Sequence, residues 1–315
     1  MSSMTIRPGL RDFFWMSAGA VILLAVILTV LHVQKSRNPA DRIAFMAKRV
    51  ELVGRIRLAV AAASEAEKSA VMATTDRESQ EFADQARGAT AAVEHGRMEL
   101  AELLRSSGTR SEEALLARFS QAFAEFRRID NELLALAVQN TNLKAQRLAF
   151  GPAAAAVKEM DAALSRNVAE HTHWTSRDTV RGSRLADDAR IRSLRIQTLL
   201  FPHIAEESDR KMDELETLMA KEDREIRRDL ESLTTLTRSA GSSDIDMAKA
   251  RYDEFGRIRS QIIKLSRENT NVRSLTISLN RKRKAMAMCQ DALAALEQAI
   301  RQEPVPRMTN PRSFR

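Results

Sequence analysis

The chain has 315 residues and a formal net charge of +8, with 44% hydrophobic, 29% charged and only 4% aromatic residues. Between residues 40 and 303 the only prolines are Pro152 and Pro202. So few helix breakers, in a chain dominated by good helix formers, point to long helices and exclude a sheet protein. The ten glycines form no phosphate-cradling cluster, and no acid pair, Ser-His-Asp set or metal cluster can be assembled from the sequence, so no enzyme and no cofactor is expected. Basic residues interleave with acids along the helices, which describes a solvated face and argues against nucleic-acid binding.

Residues 1–12 form a short N-terminal segment. Phe13 to Val33 then gives 21 residues without Asp, Glu, Lys or Arg, enough at 1.5 Å per residue to span a bilayer core of roughly 30 Å. Phe13, Phe14 and Trp15 stand at one edge, where aromatics favour the interface, and Lys35 and Arg37 follow the other. The apolar run is too long for a secretory signal and no small-residue cleavage site follows it, so an uncleaved transmembrane anchor is expected. Orientation is left open by the flanking charges, Arg7 and Arg11 against Lys35, Arg37 and Arg42.

The remainder repeats itself with a shift of 129 residues and no gap. Phe126 matches Phe255, Ile129 matches Ile258, Leu136 matches Leu265, and Asn140-Thr141-Asn142 matches Asn269-Thr270-Asn271. A long ungapped match means one structural module used twice. The expected fold is therefore all-α: an N-terminal transmembrane helix followed by two tandem four-helix bundles, residues 41–175 and 176–302, with a disordered tail over 303–315.

Helix one runs from about Asp41, with Ile43, Met46, Val50, Val53 and Val60 on one stripe. Thr75-x-x-Glu78 resembles a capping box that starts helix two, and Ser106 to Thr109 ends it. Helix three starts near Ser111-Glu112-Glu113 and carries Phe119, Phe123, Phe126 and Leu133. Its end falls either at Asn140 to Asn142 or at Gly151-Pro152. In the second copy the basic run Arg281 to Lys284 would oppose the macrodipole of a new helix, which favours a break at Asn269 to Asn271. The basic run itself reads as a solvated face. Around residues 165 to 190 the fourth helix is expected to run on into the next module as one rod. Met286, Cys289, Leu293, Leu296 and Ile300 follow the 3-4 spacing of a bundle seam, so Cys289, the only cysteine, reads as a core residue.

LLALAVQNTNLKAQRLAF and IIKLSRENTNVRSLTISL, each an apolar run, a small polar turn and a stretch entering the next helix, resemble the four-helix-bundle ligand-binding domain of methyl-accepting chemotaxis receptors. The tandem arrangement is similar to helical bimodular sensor domains. No second span, HAMP linker or methyl-accepting coiled coil follows, so the chain resembles a sensor without its transmitter. The resemblance implies a sensory module at the inner membrane with its bulk in the periplasm. It implies a small ligand or partner protein, a separate signalling partner, and a homodimer along helix one. A helical rod acting as a structural scaffold is the alternative.

Asn140, Thr141, Asn142, Asn269, Thr270 and Asn271 are candidate ligand-binding residues, because amides and hydroxyls can donate to a carboxylate without a buried charge. The same residues also terminate helices by competing for backbone hydrogen bonds. Arg55, Arg57 and Arg184 are counterparts of the helix-one arginines that clamp acidic ligands in the receptors resembled. His171 and His173 are two apart and do not share a helix face, which argues against a metal pair.

Overall fold

The computed structural model describes residues 39–170, 175–237 and 243–302. The segment 13–33, the termini and the His171/His173 pair lie outside the described residues. Among the described residues the chain is all helix, with no strand, and no helix is long and apolar enough to cross a membrane.

The helices are α1 (Pro39–Met72), α2 (Asp76–Ser107), α3 (Arg110–Ala137), α4 (Thr141–Leu148), α5 (Ala154–Glu170), α6 (Ser176–Ala205), α7 (Asp209–Thr237), α8 (Ser243–Glu268), α9 (Thr270–Ile277) and α10 (Arg283–Gln302). A π-helical turn, Ala149–Ala153, joins α4 to α5, and another, Ser278–Lys282, joins α9 to α10. The two turns lie 129 residues apart, so the repeat extends to an irregularity of the backbone.

Caps define the helix starts. Glu78 N–H donates to Thr75 Oγ1 (3.2 Å) at the head of α2, and Asp178 N–H donates to Thr175 Oγ1 (3.2 Å) at the head of α6. The second cap corrects the expected rod through residues 165 to 190. Arg190 on α6 meets Asp161 (2.6 Å) and Ser165 on α5, so these helices lie side by side and are not consecutive lengths of one helix. The Thr175-x-x-Asp178 signature marks the start of α6 in the sequence.

The chain divides into two compact units, neither of them a consecutive half. The first takes residues 1–60, 91–122 and 288–315; the second takes 61–90 and 123–287. This division differs from the consecutive spans 41–175 and 176–302 read from the repeat. In the first unit the buried face of α1 is Arg49, Leu52, Val53, Ile56 and Val60, while Ile43 is exposed. Cys289, Leu293, Leu296 and Ile300 of α10 are buried as their spacing requires. Arg49 makes a two-pronged salt bridge to Glu112 (2.7 and 2.8 Å), both fully buried. Glu112 also accepts the Thr109 N–H (2.8 Å), and its own N–H reaches Thr109 Oγ1 (3.2 Å), a reciprocal cap at the start of α3.

In the second unit α4–α5, α6, α7 and α8 form a four-rod bundle. Its core includes Met160, Leu164, Ile196, Leu200, Met219, Ile226, Leu230, Tyr252, Phe255 and Ile262. The same unit holds a smaller cluster of Ala70, Val71, Ala83, Ala86, Leu133, Leu134 and Ala137 from α1, α2 and α3, with Ile277 of α9 packed against it.

Gly54 and Gly88 lie inside α1 and α2, and a Cβ at either would meet nothing within 4 Å, whereas one at Gly96 would fall 2.9 Å from Ile56 Cγ1. Gly54→Ala and Gly88→Ala should each raise stability by about 0.5–1 kcal/mol in urea unfolding, from reduced backbone entropy alone. Gly96→Ala should gain less than either, because Ile56 must move.

Candidate functional site

The two Asn-Thr-Asn turns face each other. Asn140 ends α3 and Asn269 ends α8, each left-handed, at φ 52° and 53°. Asn tolerates this conformation better than any other residue with a Cβ apart from Asp, and uses it to stop a helix. The next helix then begins at once, with its first N–H groups exposed and uncapped by its own side chains.

The other turn caps them. Thr141 N–H donates to Thr270 Oγ1 (3.2 Å) and Thr270 N–H donates to Thr141 Oγ1 (3.1 Å). Asn142 N–H donates to Asn271 Oδ1 (3.1 Å) and Asn271 N–H to Asn142 Oδ1 (3.2 Å). The two hydroxyls touch at 3.1 Å, on a local pseudo-twofold axis. The amides complete the exchange: Asn271 Nδ2 donates to Asn140 Oδ1 (3.0 Å) and Asn142 Nδ2 to Asn269 Oδ1 (2.7 Å). Asn142 Nδ2 also reaches the Ile204 carbonyl (2.6 Å) and Asn269 Nδ2 the Glu206 carbonyl (2.7 Å), so the turns close the C-terminal end of α6.

All six candidate residues of the two motifs are thus brought together, and the donors and acceptors that a carboxylate ligand would use are engaged with one another. The arginines stand apart. Arg55 pairs with Glu99 (3.0 Å) and Arg57 with Glu297 (2.6 Å), both in the first unit. Arg184 lies 3.9 Å from Asp188, roughly 30 Å along α6 from Ile204.

A charged cluster that the sequence reading missed lies in the second unit. Lys282, expected on a solvated face, is buried; its ammonium pairs with Asp130 and sits 3.4 Å from the centre of the Phe126 ring. Thr90 Oγ1 reaches the other Asp130 oxygen at 3.4 Å. Glu67 is fully buried nearby, and neither of its carboxylate oxygens has a hydrogen-bond partner among the described residues. Burial pushes the Glu67 carboxyl above its ordinary value of 4.5, while Ser278 and Lys282 draw it down less strongly. At the positions 129 residues away the repeat holds Ile196, Met219, Arg259, Ala149 and Ala153 in place of Glu67, Thr90, Asp130, Ser278 and Lys282. Four of these are apolar, and the polar one, Arg259, pairs with Asp223 instead (2.9 Å).

A second missed group is a Ser-His-Glu line. His203 Nδ1 lies 2.8 Å from Ser266 Oγ and Nε2 lies 2.9 Å from Glu216 Oε1. The Ser266 hydroxyl has one proton, and it lies 2.7 Å from the His203 carbonyl as well. If that proton goes to the carbonyl, both ring nitrogens donate and the imidazole is charged; if it goes to Nδ1, the ring is neutral and donates to Glu216. Both His203 and Ser266 are fully buried, so the hydroxyl is not presented to a substrate. The line fastens the last turn of α6 to α7 and α8. Thr74 and Ala137 occupy the corresponding places in the first copy, so the repeat gave no signal for it.

No protein-family model matches the chain, and no curated protein matches it.

Two predictions follow from these geometries. Asn140→Gly keeps the left-handed backbone and loses the amide, whereas Asn140→Ala loses both; the Ala variant should be less stable than the Gly variant by about 1 kcal/mol in the same urea titration. Glu67 holds its proton longer in the folded chain than in the unfolded one. Its contribution therefore falls as pH rises from about 4.5 through the raised folded value. Glu67→Gln should flatten this decline and be more stable than the native chain at neutral pH, with the difference vanishing near pH 4.

Proposed function

We propose that the chain is a chemoreceptor-like sensory module. It is held in the inner membrane by residues 13–33, with most of its length in the periplasm. It acts as a homodimer that binds a small ligand or a partner protein and passes the signal to a separate transmitter, without enzymatic activity. The resemblance of the two Asn-Thr-Asn segments to receptor ligand-binding domains motivates the reading. The observation that carries it is the reciprocal joint between Thr141 and Thr270. A helical sensor works when displacement of one rod is passed to another, and a joint in which each helix start is capped by the other couples two rods without a covalent link.

The alternative, a helical scaffold at the membrane, is favoured by the mutual saturation of the six turn residues and by the surface ion pairs of Arg55, Arg57 and Arg184.

The two readings part in a thermal-shift screen of the full chain in detergent against organic acids and amino acids, joined to a topology reporter fused at the C-terminus. A ligand at a hundred times its dissociation constant stabilises by about 2.7 kcal/mol, a rise of several degrees. A sensor gives such a rise and a periplasmic reporter. A flat screen with a cytoplasmic reporter establishes the scaffold.

A further inference from the structure

α6 carries two apolar stripes on opposite faces. The inward stripe, Ala186, Ala189, Ser193, Ile196, Leu200 and His203, is buried in the bundle. The outward stripe is Ile191, Leu194, Thr198 and Phe201, with the 3-4-3 spacing of a coiled-coil seam. Ile191 and Leu194 are 49% and 54% exposed, and Phe201 stacks at 4.7 Å against Phe150, itself 67% exposed. Single exposed apolar residues need no explanation, but a contiguous stripe in seam register does.

The surface beside the stripe is shaped to receive it. A groove of about 510 Å³ runs between α6 and α7, lined by Ile191, Leu194, Thr198, Leu199 and Leu218. A second, of about 350 Å³, runs between α6 and α5, with Val157, Met160 and again Leu194 in its wall. Leu194 is thus the crest of a ridge with a furrow on each side. Two copies related by a half turn can each lay this ridge in the other's furrow, the self-complementary form that a twofold interface requires. Charge agrees with shape: the first furrow carries Arg195 and Glu222, the second Lys158, Arg190 and Asp161, so a half turn can set opposite signs face to face.

The repeat supplies the control. At the same places in α1 the chain has Ala62, Glu65 and Ser69 where α6 has Ile191, Leu194 and Thr198. The fold requires neither set, since both face outward; the apolar set belongs to the second copy alone.

We propose that the outward face of α6 is the homodimer seam of this protein, with Leu194 of each copy seated in the α6–α7 or α6–α5 furrow of the other. This rests on the homodimer part of the proposed function and moves the seam from α1 to α6.

The test uses the full chain in detergent micelles. Ile191→Cys, Leu194→Cys and Thr198→Cys are oxidised separately with copper phenanthroline, with Ser260→Cys on α8 as the off-seam control. Cys289 is buried and leaves the native chain uncrosslinked. At least one seam variant should convert mostly to a covalent dimer while Ser260→Cys does not. By light scattering, Leu194→Asp should raise the dimer dissociation constant roughly thirtyfold at unchanged helical circular dichroism. A monomeric native chain, absence of any seam crosslink, or a dimer untouched by Leu194→Asp would overturn the proposal. A dimer held elsewhere removes the α6 seam yet leaves ligand sensing to the thermal-shift screen, so the two failures are distinguishable.

Discussion

Backbone hydrogen bonding at an interrupted helix is the constraint on which this structure turns. A helix that stops and restarts within one residue leaves N–H groups at the new start with no carbonyl behind them, and burying them unpaired costs about 1–3 kcal/mol each. Asn140 and Asn269 make such restarts, and in the left-handed conformation neither side chain can cap its own helix. Setting the two interruptions against each other solves both at once, since each turn brings the hydroxyl and amide that the other lacks. The internal repeat therefore has a physical role. Two identical turns can cap one another across a twofold axis, and two different ones would need two separately fitted partners.

Around that joint the copies diverge where symmetry is not needed. The bundle of α4 to α8 fills its interior with Ile196, Met219, Ala149 and Ala153, whereas the corresponding places elsewhere in the second unit hold Glu67, Thr90, Ser278 and Lys282. A buried ion pair such as Lys282–Asp130 is weak evidence for stability, because desolvation offsets much of the attraction. What it does supply is specificity, since Lys282 has few other places to put its charge than against Asp130 and the face of Phe126. The same divergence appears on the outside, where α6 is apolar and α1 carries Glu65 and Ser69.

The sequence by itself determined the helical class, the repeat with its 129-residue shift, the breaks at the two Asn-Thr-Asn turns and the burial of Cys289. Each of these is written in local chemistry: absence of breakers, apolar spacing, and an Asn that accepts a left-handed backbone. Only the tertiary structure decided which rods share a core, because a repeat says that two segments are alike and not which segments pack together. The compact units are accordingly discontinuous in the chain. It also decided the fate of Lys282, whose neighbours in sequence are cations but whose neighbour in space is Asp130, 152 residues away. The π-helical turns show the same division. Pro152 accounts for the first, since it lacks an N–H and would clash in a regular helix, but Ser278–Lys282 contains no proline and turns identically. There the extra residue reconciles two demands on one rod, a start held by the paired turns and a core stripe that faces its own bundle. No local pattern carries a demand that arises between distant parts of a chain.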